Sequence, residues 1–209
     1  MKKWKKILAI MLCLLFVQAP VISLTAPVTV EAAAVKSGLK KEKGKYYFYV
    51  KGTKLKNAWR TIKTKSNGKT VSYRYYFGKD GAAYMGKKVS GVNVPAVKKI
   101  NGNYYAFGTS ARMLKGVYVI NDKFYLFNKN TGVYDPGMST QLRKASAYEK
   151  NAATLKKLLA KLFGKPSKTE TLDSCYGDGK DMLYYYPNFM VNTFKNTKGR
   201  EIVLGIFAR

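Results

Sequence analysis

Apolar positions along this chain take three spacings in turn, and each predicts a different element. Ile7 to Val17 is an unbroken apolar run behind Lys2, Lys3, Lys5 and Lys6, and it gives way to small residues at Val30-Glu31-Ala32-Ala33-Ala34. From Lys45 to Asp135, aromatic residues recur at i and i+2, each pair followed by turn residues. The pairs are Tyr47/Tyr49 before Gly52, Tyr75/Phe77 before Asp80-Gly81, Tyr105/Phe107 before Thr109-Ser110, and Tyr125/Phe127 before Asn130-Thr131-Gly132. Alternation with period two, closed by Gly, Asn and Asp, is the pattern of a β-hairpin. Beyond Pro136-Gly137 the spacing becomes i, i+3, i+4, i+7 at Leu155, Leu158, Leu159 and Leu162, one face of a helix. Asn151 is placed to cap its start, and Gly164 and Pro166 to stop it.

These patterns divide the chain into four parts. Residues 1–32 carry the order of charge, apolar core and small-residue exit that a signal peptidase reads, with cleavage after Ala32 or Ala34 and a mature start at Ala33 or Val35. An uncleaved anchor over 7–30 is the other reading, interrupted by Gln18, Pro20 and Pro27. Residues 33–44 read as a linker. Residues 45–137 read as hairpin repeats, their aromatic frames offset by 28, 30 and 20 residues, with return strands at Ala82–Met85, Arg112–Leu114 and Val133–Tyr134. One hairpin alone is marginal in water, so a series that buries its aromatic faces against neighbours predicts a short β-solenoid. Residues 138–209 read as a small α+β domain, one helix on an antiparallel meander with strands at Lys168–Ser174, Met182–Tyr186, Phe189–Phe194 and Glu201–Phe207. The fold class expected is mainly β repeats followed by that α+β domain.

Charge narrows the partners. The 209 residues carry 39 Lys and Arg against 11 Asp and Glu, a net of +28; loss of four lysines and one glutamate with residues 1–32 leaves 35 against 10, or +25. Such an excess attracts polyanions. An exported chain meets wall polymers (teichoic acid or an acidic glycan) rather than nucleic acid, and touches the membrane only transiently through its signal peptide. Cys13 lies in the signal core, which leaves Cys175 without an intramolecular partner.

The same composition argues against catalysis. There is no histidine, and with it go the commonest general base and zinc ligand. Glu42, Asp80, Asp122 and Asp135 fall in the linker or in repeat turns, away from the carboxylate pair that a glycosidase needs. Glu170, Asp173, Asp178 and Asp181 read as a polar strand-to-strand turn paired with Lys168 or Lys180. Asp178-Gly179-Lys180-Asp181 lacks the alternating oxygen ligands of a calcium loop. A Cys175 nucleophile would have no histidine to activate it. No enzyme activity, metal or cofactor is expected.

Two stretches carry a resemblance. Tyr104-Tyr105-Ala106-Phe107-Gly108 and Tyr75-Tyr76-Phe77-Gly78-Lys79-Asp80-Gly81-Ala82-Ala83-Tyr84-Met85-Gly86 resemble the choline-binding and glucan-binding cell-wall repeats of Gram-positive bacteria, over roughly residues 38–135. In the choline-binding branch, cages of Trp, Tyr and Met between neighbouring hairpins hold a quaternary ammonium on aromatic faces. The resemblance implies Trp59, Tyr84, Met85, Met113 and Tyr118 as ligand-binding positions. The family's trailing Trp is missing twice, with Lys87 after Gly86 and Val117 after Gly116. This departure and the positive charge weigh against choline and toward an anionic polymer or a glycan. The segments 162–166, 173–179 and 184–186 are similar to a small domain of exported clostridial-type proteins. The helix-then-sheet order there also resembles one unit of the β-lactamase-inhibitor-like fold.

The function expected is that of a secreted or wall-associated binding protein, attached to anionic wall polymer or glycan through the repeats. The alternatives are an interaction or inhibitor-like protein acting through residues 138–209, and a non-catalytic accessory of a wall hydrolase.

Overall fold

The computed structural model describes residues 35–209; the signal peptide expected at 1–32 and its cleavage points lie outside the described residues. The described chain is mainly antiparallel β with two helices. β1 (Gly38–Glu42), β2 (Lys45–Val50) and β3 (Thr53–Lys54) form one sheet. Three two-stranded hairpins follow: β4 (Ala58–Ser66) with β5 (Lys69–Phe77), β6 (Lys87–Val89) with β7 (Val92–Val94), and β8 (Ala96–Ile100) with β9 (Asn103–Phe107). β10 (Gly116–Ile120), β11 (Lys123–Phe127) and β12 (Tyr134–Asp135) make the next sheet. Gly38–Glu42, expected as linker, is a paired strand instead, Glu42 lying opposite Lys45.

The hairpins close differently from the sequence-based expectation. Each aromatic strand was expected to pair with the segment after it, yet its ladder partner is the strand before it. Ser66 pairs with Lys69, Ile100 with Asn103 and Ile120 with Lys123, so two residues make each turn. Both turn residues have positive φ, +48° and +73° at Asn67-Gly68 and +46° and +83° at Asn101-Gly102. That is the type I′ turn, whose twist matches the flanking strands and which favours Asn-Gly. The expected return segments supply single bridges, Phe77 to Ala83 and Phe107 to Met113, and only Tyr134 extends into a short strand.

After β12 come two helices where one was expected. α1 (Pro136–Ala145) has Pro at its first turn, and the Asp135 carboxylate accepts from the Met138 amide at 2.9 Å. An acidic cap followed by Pro is a helix start, but α1 buries only Ser139, Leu142 and Ala145 and so carries no long apolar stripe. α2 (Ala152–Phe163) matches the expected helix, with Asn151 accepting from the Ala153 amide and Gly164 at its end. β13 (Lys168–Asp173), β14 (Gly179–Tyr185), β15 (Phe189–Asn196) and β16 (Glu201–Ala208) then form one antiparallel sheet in chain order.

One buried cluster runs through the boundary expected at 137. It joins Val117, Val119 and Phe124 of the β10–β11 hairpin to Leu142, Leu155 and Leu159 of the helices, and to Phe189, Val191 and Val203 of the last sheet. Phe124 and Phe189 are both fully buried and meet edge to face, 5.0 Å between ring centres. Arg143 Nε donates to the Phe124 carbonyl at 2.8 Å, and the Leu126 amide donates to Ser139 Oγ at 2.9 Å, so α1 also satisfies the free edge of β11.

Inside the last sheet, the Glu201 carboxylate accepts from Thr193 Oγ1 at 2.6 Å, Tyr184 OH at 2.8 Å and Lys156 Nζ at 2.9 Å. Burial pushes this carboxyl up, but the three donors outweigh burial and hold it below the usual glutamate range. A depressed pKa adds stability above the unfolded value of about 4.3 and loses it as pH falls through the folded one. Glu201→Gln is therefore expected to lower stability by about 1–3 kcal/mol at pH 7. In denaturant melts the gap between variant and parent should close on the acid side of that value; a gap independent of pH would contradict the ionised network.

Candidate functional site

Strand parity decides what each aromatic pair does. On β5, Tyr75 and Phe77 point to one face and are buried, while Arg74 and Tyr76 point to the other. On that second face Trp59 stands opposite Tyr76, and Thr61 opposite Arg74. On β9, Tyr105 and Phe107 share a face, with Lys98 of β8 opposite Tyr105. These two faces meet. Trp59 touches Tyr76 at 5.2 Å and Tyr105 at 4.9 Å, both edge on, and stacks on Phe107 at 5.9 Å between ring centres. Tyr84, from the segment between the hairpins, closes the group against Tyr76 at 5.2 Å and Phe107 at 5.8 Å.

Cations cover what the rings leave open. The Arg74 guanidinium lies 4.2 Å from the Trp59 ring centre, and Lys98 Nζ lies 5.5 Å from that of Tyr84. The same arrangement recurs through the hairpins, with Lys54 over Tyr47 at 3.6 Å, Arg60 over Phe48 at 4.8 Å and Arg112 over Tyr73 at 3.5 Å. Residues 45–135 hold 18 Lys and Arg against three Asp. Among the described residues, none of these 18 is within ion-pair distance of a carboxylate; the ion pairs present are Lys36–Glu42, Lys156–Glu201, Lys168–Glu170 and Lys180–Asp173. This charge is thus not offset by ion pairs among the described residues.

The other face of β9 borders an open cleft of about 570 Å³, within the size range of small-molecule sites. Tyr104, Tyr125 and Tyr134 give it aromatic walls, Val94, Val97 and Ile120 apolar ones, and Lys87 one positive charge. Tyr104 is 46% exposed. Tyr125 and Tyr134 are held from behind by Arg143, which lies 4.3 Å from the Tyr125 ring centre and donates from a terminal nitrogen to Tyr134 OH at 3.0 Å. A tyrosine platform flanked by a lysine has the chemistry to take a sugar face and an acidic substituent.

Of the five positions singled out from the sequence, the structure brings Trp59 and Tyr84 into one aromatic group. Met85 packs instead with the buried Tyr75 and Phe77 on the opposite face of the hairpin. Met113 lies against Gly132 and donates its amide to the Arg74 carbonyl at 2.8 Å. Tyr118 stands apart, 6.5 Å from Phe127, and lines a smaller cleft of about 210 Å³ with Asn188 and Arg209; burial pushes its phenol pKa up, against a hydrogen bond with Asn188. The five do not line one site. Sequence reading missed Arg74, Lys98 and the tyrosine cleft. Parity alone could have flagged Tyr104, since adjacent strand residues face opposite ways and Tyr105 was already committed to the aromatic frame.

Three of the four acids between 170 and 181 are internally engaged. Glu170 pairs with Lys168 and accepts from Tyr185 OH at 2.5 Å, Asp173 accepts from Lys180, and Asp181 accepts from Ser174 Oγ at 2.6 Å. Among the described residues, no three His, Cys, Asp or Glu side chains converge as metal ligands would.

No known family profile and no curated protein matches the chain. Solved structures with similar stretches include the Cpl-1 endolysin of a pneumococcal phage, crystallised with a peptidoglycan analogue, at 14% identity and a TM-score of 0.35 over 79% of this chain and 36% of that one. Choline-binding protein F of Streptococcus pneumoniae matches at 16% identity and a TM-score of 0.31, over 79% of this chain and 42% of that one. Truncated alternansucrase from Leuconostoc mesenteroides matches at 13% identity and a TM-score of 0.33, over 77% of this chain and 11% of that one. The chain thus spans less than half the length of each of these three proteins. At such scores the likeness carries no argument about ligand or activity.

Proposed function

We propose that the chain is an exported, wall-associated, non-catalytic binding protein whose hairpins stack in series as a short β-solenoid and hold an anionic cell-wall polymer or glycan. The observation that carries this reading is the pairing of ring platforms with uncompensated cations: the open Tyr104–Tyr125–Tyr134 cleft beside Lys87, within residues 45–135, which hold 18 basic and three acidic residues. Tyrosine faces stack on sugars, and ammonium and guanidinium groups take the acidic substituents. The lack of any histidine and the internal pairing of Glu170, Asp173 and Asp181 support the non-catalytic half of the reading.

Retention on isolated walls tests it. Exposed charges are screened over ~8 Å at physiological salt and ~3 Å at 1 M, and binding a polyanion releases counterions. The bound fraction is expected to collapse between 0.1 and 1 M NaCl, and to be low on walls stripped of teichoic acid. Tyr104→Ala, at an exposed position where folding is not at stake, should weaken retention by about 1–3 kcal/mol, the value of one ring-stacking contact. A flat salt response together with an unaffected Tyr104 variant would sink the reading.

A further inference from the structure

We infer that Arg74, laid on the face of Trp59, is an anion-binding group for the phosphodiester of a polyol-phosphate chain, and that it shuts quaternary ammonium ligands out of the aromatic group. The inference rests on the wall-polymer reading and names the charged group recognised.

Three observations lead to it. The first is that the Trp59 ring has no bare face. Tyr76, Tyr105 and Phe107 surround it on the protein side, and the Arg74 guanidinium lies over it at 4.2 Å. A quaternary ammonium needs a ring face within about 6 Å, and here it would have to displace an existing cation or sit against it. Tyr84, the next ring in the group, is covered in the same way by Lys98.

The second is that Arg74 gains nothing from its own chain beyond this stacking. Among the described residues its guanidinium meets no carboxylate and no hydrogen-bond acceptor, although Arg143 on α1 finds two. The guanidinium therefore sits over the indole with its N–H groups unused by the described chain. A planar fork is the geometry that matches two phosphate oxygens at once.

The third is the surrounding charge. The acids of the hairpins are engaged or sit in a turn: Glu42 pairs with Lys36, Asp80 accepts from the Ala82 amide, Asp135 caps α1, and Asp122 is a residue of the β10–β11 turn. Among the described residues none is within ion-pair distance of Arg74, and Lys98 on the same aromatic group adds a second positive charge. A repeating phosphate chain suits two cations on one ring group better than a single free anion does.

The full-length protein carrying Trp4→Phe makes Trp59 its one tryptophan, so its emission reports this site. Soluble poly(glycerol phosphate) is expected to change that emission saturably, whereas choline chloride at matched ionic strength should leave it unchanged. Arg74→Ala should weaken the phosphate titration at least tenfold, ~1.4 kcal/mol, and should make the uncovered indole respond to choline. Where alanine at 74 disturbs the hairpin, as circular dichroism would show, Arg74→Lys keeps the charge, removes the fork and should still weaken binding several-fold. Parent-like affinity in the folded variants, a parent that answers choline, or a response confined to phosphatidylglycerol vesicles would each overturn the inference. Wall retention that stays salt-sensitive while Arg74 variants bind like the parent sinks this site alone. An intact titration with no wall retention sinks the wall reading alone.

Discussion

Phe124→Ala is expected to destabilise the protein by about 3–5 kcal/mol, the cost of emptying a fully buried aromatic position, and to lower its melting temperature on the order of 10 °C. The reason is where Phe124 sits. Its ring meets Phe189 edge to face at 5.0 Å and belongs to a cluster that also holds Leu142 of α1 and Leu155 and Leu159 of α2. The cavity would open where β11, α1, α2 and β15 share one buried cluster. Loss of helix signal and loss of aromatic near-ultraviolet signal should therefore shift together. Two separated transitions, only one of them moved, would show instead that the hairpins and the last sheet fold independently. The same packing bears on truncation. Removing residues 138–209 would strip Val117, Val119 and Phe124 of their partners, so the β10–β11 hairpin should unfold although it precedes the cut. Point variants at Tyr104 or Arg74 separate binding from folding; that deletion does not.

Gly86→Ala should be nearly as damaging, about 3 kcal/mol, with a functional loss on top. A Cβ at Gly86 would stand 2.4 Å from the Val94 carbonyl oxygen, 3.0 Å from that of Phe107 and 3.1 Å from the Pro95 Cα. All three are backbone atoms, so no side chain can rotate out of the way. The strands themselves must part, and the Gly86 amide would lose its 3.0 Å bond to the Gly108 carbonyl. Lys87, Val94 and Pro95 line the tyrosine cleft, so this movement would widen it and retention on walls should fall along with stability. Gly91 supplies the contrast. A Cβ there meets nothing within 4 Å, and the cost is only that of its φ of +83°, about 1–2 kcal/mol. Parity between the Gly86 and Gly91 variants in thermal melts would refute the steric argument.

The parts of this fold that were legible in the sequence are those set by neighbours along the chain. The aromatic alternation marked β2, β5, β9 and β11, the leucine spacing with Asn151 and Gly164 marked α2, and the four strands of the last sheet fell within a few residues of their expected bounds. What could not be read depends on contacts between distant residues. The choice of ladder partner turned on whether Asn101-Gly102 or the Thr109-Ser110 turn closes a hairpin. Both hold turn residues, but only the first is two residues long with positive φ at each. α1 was missed because its helix start, Asp135-Pro136, precedes a segment whose buried face is only three residues. The site was legible in composition and not in geometry. The rings and lysines were evident, but Arg74 reaches Trp59 diagonally across a ladder, and Tyr104 faces its cleft only because Tyr105 faces away.

The cations lying over the hairpin rings have a consequence before any ligand arrives. Residues 45–135 carry 18 aromatic side chains, 17 of them on strands, several in two-stranded hairpins whose edges are only partly paired. Strands of that composition recruit one another into cross-β assemblies when left bare. Lysine and arginine beside apolar strands act as gatekeepers against such assembly, and here they are seated on the rings themselves. A second chain approaching Trp59, Tyr73 or Tyr84 meets a positive charge before it meets the aromatic face. The contacts that cover the hairpin rings would thus also disfavour edge-to-edge association of neighbouring copies.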